Sequence, residues 1–342
     1  MSSIIFSLDG REDLYNMVWN ELKINGGLTG FTVNPKVNIE KFSDGEVCVD
    51  FETSVRGKRV YLLTSPNSAE KILQLNFAID AAKRAGASEI IPIIPYFPYA
   101  RQDKKDQPRG PIGAKVMAEM IENRGATSVI TFDLHADQIQ GFFNIPVMHM
   151  EGKYLFDRYI FDLYRDEYGD KIVLCAPDAG AAKRVKAFRD LINKRWDVDL
   201  PIVMIDKTRK EANKIDSMVI IGEVRAKVVI IIDDMCDTAG TLFKAAEELK
   251  DAGALEVRAI VTHGIFSGEG LERLYGAKYD KILSDFVCSD SISIKGRNVV
   301  LGQGEYPNAE DFITQISTAK QIAKSILATE KHTSIEQLNY TE

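Results

Sequence analysis

The sequence predicts an α/β fold built from two similar, doubly wound domains with mainly parallel sheets. Three observations predict it. Short runs of β-branched and aliphatic residues alternate with helical patterns along the chain. Several of those runs are apolar at nearly every position, as strands covered on both faces must be. Parts of the first half recur in the second, and 342 residues suit two domains rather than one.

The expected strands are 60–64, 90–94, 128–132, 171–175, 201–205, 227–232 and 257–262. The expected helices include 73–84, 113–122 and 242–250. In the last of these Leu242, Ala245, Ala246 and Leu249 share one face, Lys250 lies in the final turn, and Gly253 is a stop signal. The repeat pairs VYLLTSPNS with KIVLCAPDAG, the strand near Ile90 with the one near Ile202, and SVITFDLHADQ with VVIIIDDMCDTAG, so that Asp133 corresponds to Asp233. The expected boundaries are a first domain over 1–151, a second over 152–305, and a C-terminal helix and tail over 306–342 that packs back on the first. The end, 330–342, is polar and expected to fray.

Composition excludes several classes. A net charge of −7 sets the overall field against nucleic acid. The four cysteines, Cys48, Cys175, Cys236 and Cys288, are far apart and form no CxxC pair, which argues against a zinc site or a disulfide framework and for a reduced, cytoplasmic setting. The first residues lack the charged and apolar pattern of a signal peptide, and no apolar run reaches the length of a membrane span. No nucleic-acid or membrane partner is expected.

The sharpest local signal is VVIIIDDMCDTAGTLFKAAEELKDAGA, 228–254. A buried strand ends in Asp233 and Asp234, a loop over 235–240 follows, and a helix begins near Thr241. The carboxyl end of a strand is where open α/β sheets bind ligands. Two adjacent carboxylates suit vicinal hydroxyls. The N–H groups of Asp237, Thr238, Ala239, Gly240 and Thr241, the two threonine hydroxyls and the helix dipole suit a phosphate. The bland alternative is that Asp237, Thr238 and Thr241 only cap the helix. This arrangement resembles the PRPP-binding motif of type I phosphoribosyltransferases and of the enzymes that make PRPP. It points to a sugar phosphate and leaves the reaction open.

Further segments separate the possibilities: KFSDGEVCV (41–49), IPYFPYARQDKKDQPRGPIGAK (94–115), FDLHADQIQGFF (132–143), PDAGAAKRV (177–185), MIDKTRKEAN (204–213) and THGIFSG (262–268). In order and together they resemble the ribose-phosphate pyrophosphokinase (PRPP synthetase) family over about 41–292. A PRPP-consuming transferase would not be expected to carry FSDGE or YARQDKK. A silent regulatory relative is disfavoured by the presence of every candidate catalytic residue.

The resemblance implies two phosphoribosyltransferase-type domains related by a pseudo-two-fold. It implies transfer of diphosphate from ATP to the anomeric hydroxyl of ribose 5-phosphate, with Mg²⁺ as cofactor and AMP as second product. It assigns Phe42, Asp44, Glu46, Arg101, Gln102 and His135 to ATP, His135 and Asp178 to Mg²⁺, and Lys207 and Arg209 to catalysis from a charged lid. It implies a site between the domains, completed by a neighbouring chain of a homo-oligomer, for which a hexamer is expected. Read by itself, FSDGE is also a tight turn with a capping Asp. One departure raises a specific concern: Ala181 replaces the second glycine of the usual PDxGG loop, and a positive φ there would strain it.

Overall fold

The computed structural model describes residues 2–8, 10–26, 29–33, 35–208, 217–299 and 307–335. The chain divides into two compact units, Met1–Glu151 with Ser317–Glu342, and Gly152–Ile316.

The first unit contains β1 (Ser3–Ser7), α1 (Glu12–Ile24), β2 (Val37–Lys41), β3 (Val47–Phe51), β4 (Arg59–Leu63), α2 (Ala69–Arg84), β5 (Glu89–Ile94), α3 (Gly113–Arg124), β6 (Val129–Phe132) and β7 (Val147–Met150). Its main sheet has the order β1-β4-β5-β6-β7, all parallel. Side chains of a strand alternate between faces. Val60 and Leu62 therefore join Leu75 and Ile79 of α2 on one face. Tyr61 and Leu63 meet Leu14 and Val18 of α1 on the other. That is why this strand reads as a continuous apolar run. β2 and β3 form a separate antiparallel hairpin.

The second unit contains α4 (Lys153–Leu163), β8 (Ile172–Ala176), α5 (Ala182–Trp196), β9 (Ile202–Thr208), β10 (Ser217–Ile221), β11 (Val228–Cys236), α6 (Gly240–Asp251), β12 (Glu256–Gly264), α7 (Gly270–Tyr279), β13 (Asp285–Ser289) and β14 (Thr314–Ile316). The sheet order is β10-β9-β8-β11-β12-β13-β14, parallel except for the β9–β10 hairpin. Val229 and Ile231 pack towards α6, and Val228, Ile230 and Ile232 towards α5. α6 ends as its sequence predicts. Gly253 has φ +92°, its N–H donates to Lys250 O at 2.9 Å, and Ala254 N–H donates to Leu249 O at 3.0 Å, which together make a Schellman cap.

The chain then returns to the first unit in α8 (Ala319–Lys331), whose Ile322 and Ile326 share a core with Leu14 and Tyr61. Glu330 is not frayed. Its Oε1 accepts from Ser3 Oγ and Tyr61 Oη, each at 2.8 Å, and lies 3.1 Å from Arg59 Nη1. Among the described residues no helix is long and apolar enough to cross a membrane.

The sheet order corrects the repeat. In the first sheet β5 lies beside β4, with β6 one strand further. In the second, the strand beside β8 on that side is β11, with β12 one further, and β9 lies on β8's other side. The positional counterpart of β11 is therefore β5, and that of β6 is β12. Asp133 thus corresponds to the segment after Gly264, not to Asp233. In both segments an apolar run is followed by aspartate, and that local likeness conceals the order in which the strands pair.

Candidate active site

In the second sheet the chain runs from β8 to β9 and then crosses back to β11 on the opposite side of β8. This reversal opens a crevice at the carboxyl ends of β8 and β11, the place where open α/β sheets take ligands. Asp178 follows β8, and Asp233 and Asp234 lie at the end of β11.

The acid pair is held more firmly than the sequence suggested. β11 does not stop at Ile232. Its ladder with β12 continues through Asp233↔Val261, Met235↔His263 and Cys236↔Gly264, because β12 is equally long. Asp233 Oδ1 accepts from Asp234 N–H at 2.9 Å. Arg184, from the first turn of α5, places Nη1 3.8 Å from Oδ1 of each aspartate. Burial, and then the Asp234 charge, raise the Asp233 carboxyl above the usual carboxylate range, and Arg184 opposes the rise. Arg184 is the residue that sequence reasoning missed. A signal was present: Lys183 and Arg184 open α5, where the helix dipole disfavours cations unless an anion faces them.

The loop after the pair is built for an anion. α6 starts behind Ala239, whose φ of +59° is left-handed, and no side chain caps the helix. The N-cap position falls on Ala239 rather than on Asp237, Thr238 or Thr241. The first N–H groups of a helix have no partner within it, so this N-terminus presents donors and a favourable dipole. Thr238 and Thr241 are exposed, and Asp237 is half-buried. Two residues from α7 brace the loop. Arg273 Nη1 donates to Thr238 O at 2.9 Å, and Gly270 lies so near that an added Cβ would stand 2.5 Å from Asp237 O.

Asp178 Oδ1 accepts from Ala181 N–H at 3.1 Å, closing the turn into α5. Ala181 has φ −78°, so the strain feared there is absent. Within this site the alanine at positive φ is Ala239, where a left-handed backbone costs a non-glycine residue about 1 kcal/mol. Lys207 was expected just after a strand. It lies within β9, opposite Met218 of β10. Arg209 and the rest of the expected lid lie outside the described residues.

In the first unit, Phe42, Asp44 and Glu46 occupy the tip of the β2–β3 hairpin. Phe42 N–H donates to Glu46 O at 2.8 Å, and Asp44 Oδ1 accepts from Glu46 N–H at 3.1 Å. The tight turn with a capping Asp is therefore real. Phe42 is 50% exposed at this tip. Arg101 and Gln102 follow β5 and line a cavity of about 350 Å³ with Asn67, Ser68, Tyr96 and Tyr99, to which the hairpin tip does not contribute. Gln102 also accepts from Ala114 N–H at 3.1 Å at the start of α3, and its side chain fills the space a Cβ on Gly113 would need. His135 is exposed in the loop after β6. Gln138, three residues on, donates to Asp103 Oδ2 at 3.0 Å, so the His135 and Arg101 loops are joined.

Among the described residues no cluster of three or more His, Cys, Asp or Glu forms a complete metal cage. Mg²⁺ does not require one, because it is commonly held by one or two carboxylates, waters and phosphate oxygens. Asp233 and Asp234, crowded enough to raise a carboxyl pKa, are a donor set that a divalent cation would relieve.

The chain is similar to known proteins in sequence and in fold. A family model described as the N-terminal domain of ribose phosphate pyrophosphokinase matches residues 3–125. Another, described as a phosphoribosyl synthetase-associated domain, matches 173–298. The ribose-phosphate pyrophosphokinase of Porphyromonas gingivalis is 39% identical over 306 residues, covering 89% of this chain and 90% of the relative. That of Caldanaerobacter subterraneus is 40% identical over 299 residues, covering 87% of each. The crystal structure of phosphoribosylpyrophosphate synthetase from Mycobacterium smegmatis matches with a TM-score of 0.81 at 30% identity, covering 97% of this chain and all of that one.

Proposed function

This chain belongs to the ribose-phosphate pyrophosphokinase family, and we propose that its second unit binds ribose 5-phosphate at the acid pair and loop that close β11. It is a diphosphotransferase that makes PRPP and AMP from ATP and ribose 5-phosphate. The observation that carries the site assignment is the acid pair fixed on a β-ladder directly before an uncapped helix N-terminus.

In this reading Asp233 and Asp234 accept hydrogen bonds from the ribose hydroxyls, and the N–H groups of 237–241 hold the 5-phosphate. The anomeric hydroxyl is thereby aimed in line at the β-phosphorus of ATP. Catalysis is positioning and charge stabilisation, and AMP is the leaving group. Lys207 and Arg209 neutralise charge developing on the transferred group. Arg101, Gln102 and His135 bind ATP. Phe42, Asp44 and Glu46 serve the adenine bound by a neighbouring chain, consistent with an exposed Phe42 that does not line the Arg101 cavity. The assembly that follows is a homo-oligomer, with a hexamer as the expected form. His135 in the first unit and Asp178 in the second would each serve as a Mg²⁺ ligand, with a further ion at Asp233 and Asp234, and the metal would neutralise phosphate charge. The cytoplasm is the proposed location, consistent with four free cysteines.

The test is incubation of the purified chain with ribose 5-phosphate, ATP and Mg²⁺, with products separated by chromatography. Equimolar AMP and PRPP are expected. ADP in place of AMP would mean transfer of a single phosphoryl group and overturn the mechanism.

A further inference from the structure

The loop that carries His135 is bonded to β7 as well as to itself. Asp133 opens it with φ +38°, a conformation that persists in a non-glycine residue only where the surroundings enforce it. Here β7 enforces it through two bonds. Met150 O accepts from Asp133 N–H at 2.7 Å. The side chain of His149, 9% exposed, accepts from Leu134 N–H through Nε2 at 2.9 Å.

The second bond settles the imidazole's chemistry. A backbone N–H can only donate, so Nε2 is the acceptor, and a neutral imidazole then carries its proton on Nδ1. Nδ1–H faces the other end of the same loop, 4.0 Å from the acceptor Asp137 Oδ1, while Gln140 Nε2, itself a donor, only packs against it at 3.3 Å. Gln140 is itself tied to that end, lying 3.1 Å from Asp137 O. One ring therefore touches the loop before His135, at Leu134, and after it, at Asp137 and Gln140. Leu134, only 3% exposed, pins the backbone on the inner side, which leaves the His135 side chain facing out.

We propose that His149 is a positioning residue: it spans the 134–140 loop and fixes the direction in which His135 is offered to the metal–nucleotide substrate. The proposal rests on the reading of His135 as a group that meets Mg–ATP. His149 does not touch substrate in this scheme and acts only through the loop.

Two substitutions separate this role from simple packing. In His149→Gln an amide oxygen can replace Nε2 as acceptor for Leu134 N–H. In His149→Leu the volume is largely kept and the acceptor is lost. The first readout is hydrogen exchange of the Leu134 amide in the full-length, ligand-free protein. It should quicken roughly tenfold in His149→Leu and stay near wild type in His149→Gln. The second is steady-state kinetics. The KM for Mg–ATP should rise roughly tenfold in His149→Leu with the KM for ribose 5-phosphate little changed, and His149→Gln should recover most of the loss. Should His149→Leu not fold, His149→Asn, whose amide is too short to reach Leu134, is held to the same criteria.

Unchanged exchange at Leu134 would overturn the proposal, as would an equal loss towards both substrates. His135→Ala is the control for the premise. If it leaves the Mg–ATP KM unchanged, the ATP reading of His135 falls and takes this proposal with it. If it impairs Mg–ATP while His149→Leu does not, only the positioning role falls.

Discussion

Arg184→Gln is the most informative perturbation of the acid pair. The guanidinium stands 3.8 Å from a carboxylate oxygen of both Asp233 and Asp234. At that distance and an effective dielectric near 20, each attraction is worth about 4 kcal/mol before desolvation. The gross sum overstates the loss for two reasons. Arg184 is largely buried and is itself desolvated on folding. A carboxyl left without its counter-charge can take a proton, which at pH 7 costs a group of ordinary acidity about 4 kcal/mol and so sets a ceiling. A net destabilisation of about 2–3 kcal/mol is expected, read by urea unfolding at pH 7 without divalent cations. The pH dependence has a fixed sign. Asp233 is raised in the folded chain by burial and by Asp234, and Arg184 opposes that rise. Losing Arg184 raises it further. The native state then holds more protons than the unfolded one between the ordinary carboxylate pKa and the raised value, so stability falls as pH rises through that window, and more steeply than in wild type. Mg²⁺ should restore more stability to the variant than to wild type, because it enters a site stripped of its resident cation. A variant as stable as wild type, with the same pH slope and the same Mg²⁺ response, would refute the claim that Arg184 balances the pair.

Two further predictions concern the loop and the C-terminal helix. In Gly270→Ala a Cβ would lie 2.5 Å from Asp237 O, so the 237–241 loop must shift; the KM for ribose 5-phosphate should rise roughly tenfold with little change in that for ATP, measured by steady-state kinetics. Glu330→Leu removes the acceptor shared by Ser3, Tyr61 and Arg59 and should cost about 3 kcal/mol in denaturant unfolding, since Arg59 keeps only its bond to Glu89.

What the sequence made legible follows from how local each signal is. The strands could be read because both faces of each sheet are covered, so Val60 to Leu63 and Val228 to Ile232 are apolar without a break. The loop after β11 could be read because two acids, small residues and threonines lie consecutively in the chain. Arg184 could not be assigned to it, since its role depends on the crossing that puts β8 beside β11. The same blindness to strand order paired Asp133 with Asp233. Backbone angles were equally hidden. Concern fell on Ala181, which is relaxed, and passed over Ala239, which is not. β11 was drawn too short because two acids interrupt its apolar run before Met235 and Cys236, and only the length of β12 shows that the ladder continues.

With the strands matched by position in their sheets, a second regularity follows. The segments after β5, β6, β11 and β12 each hold one non-glycine residue at positive φ: Tyr99 at +58°, Asp133 at +38°, Ala239 at +59° and Phe266 at +53°. Such conformations cost energy and survive only where packing over-determines them. Their recurrence at corresponding strand ends means that both halves of the repeat turn the chain sharply as it leaves the sheet, and chemistry then fills the turns differently. After β11 the acids remain on the ladder, while the strained turn at Ala239 precedes the first N–H groups of α6. Fixed acceptors and anion-binding donors are thereby separated along one short segment. A sugar phosphate has its hydroxyls and its phosphate separated in the same way, which supports the proposal that this loop binds one.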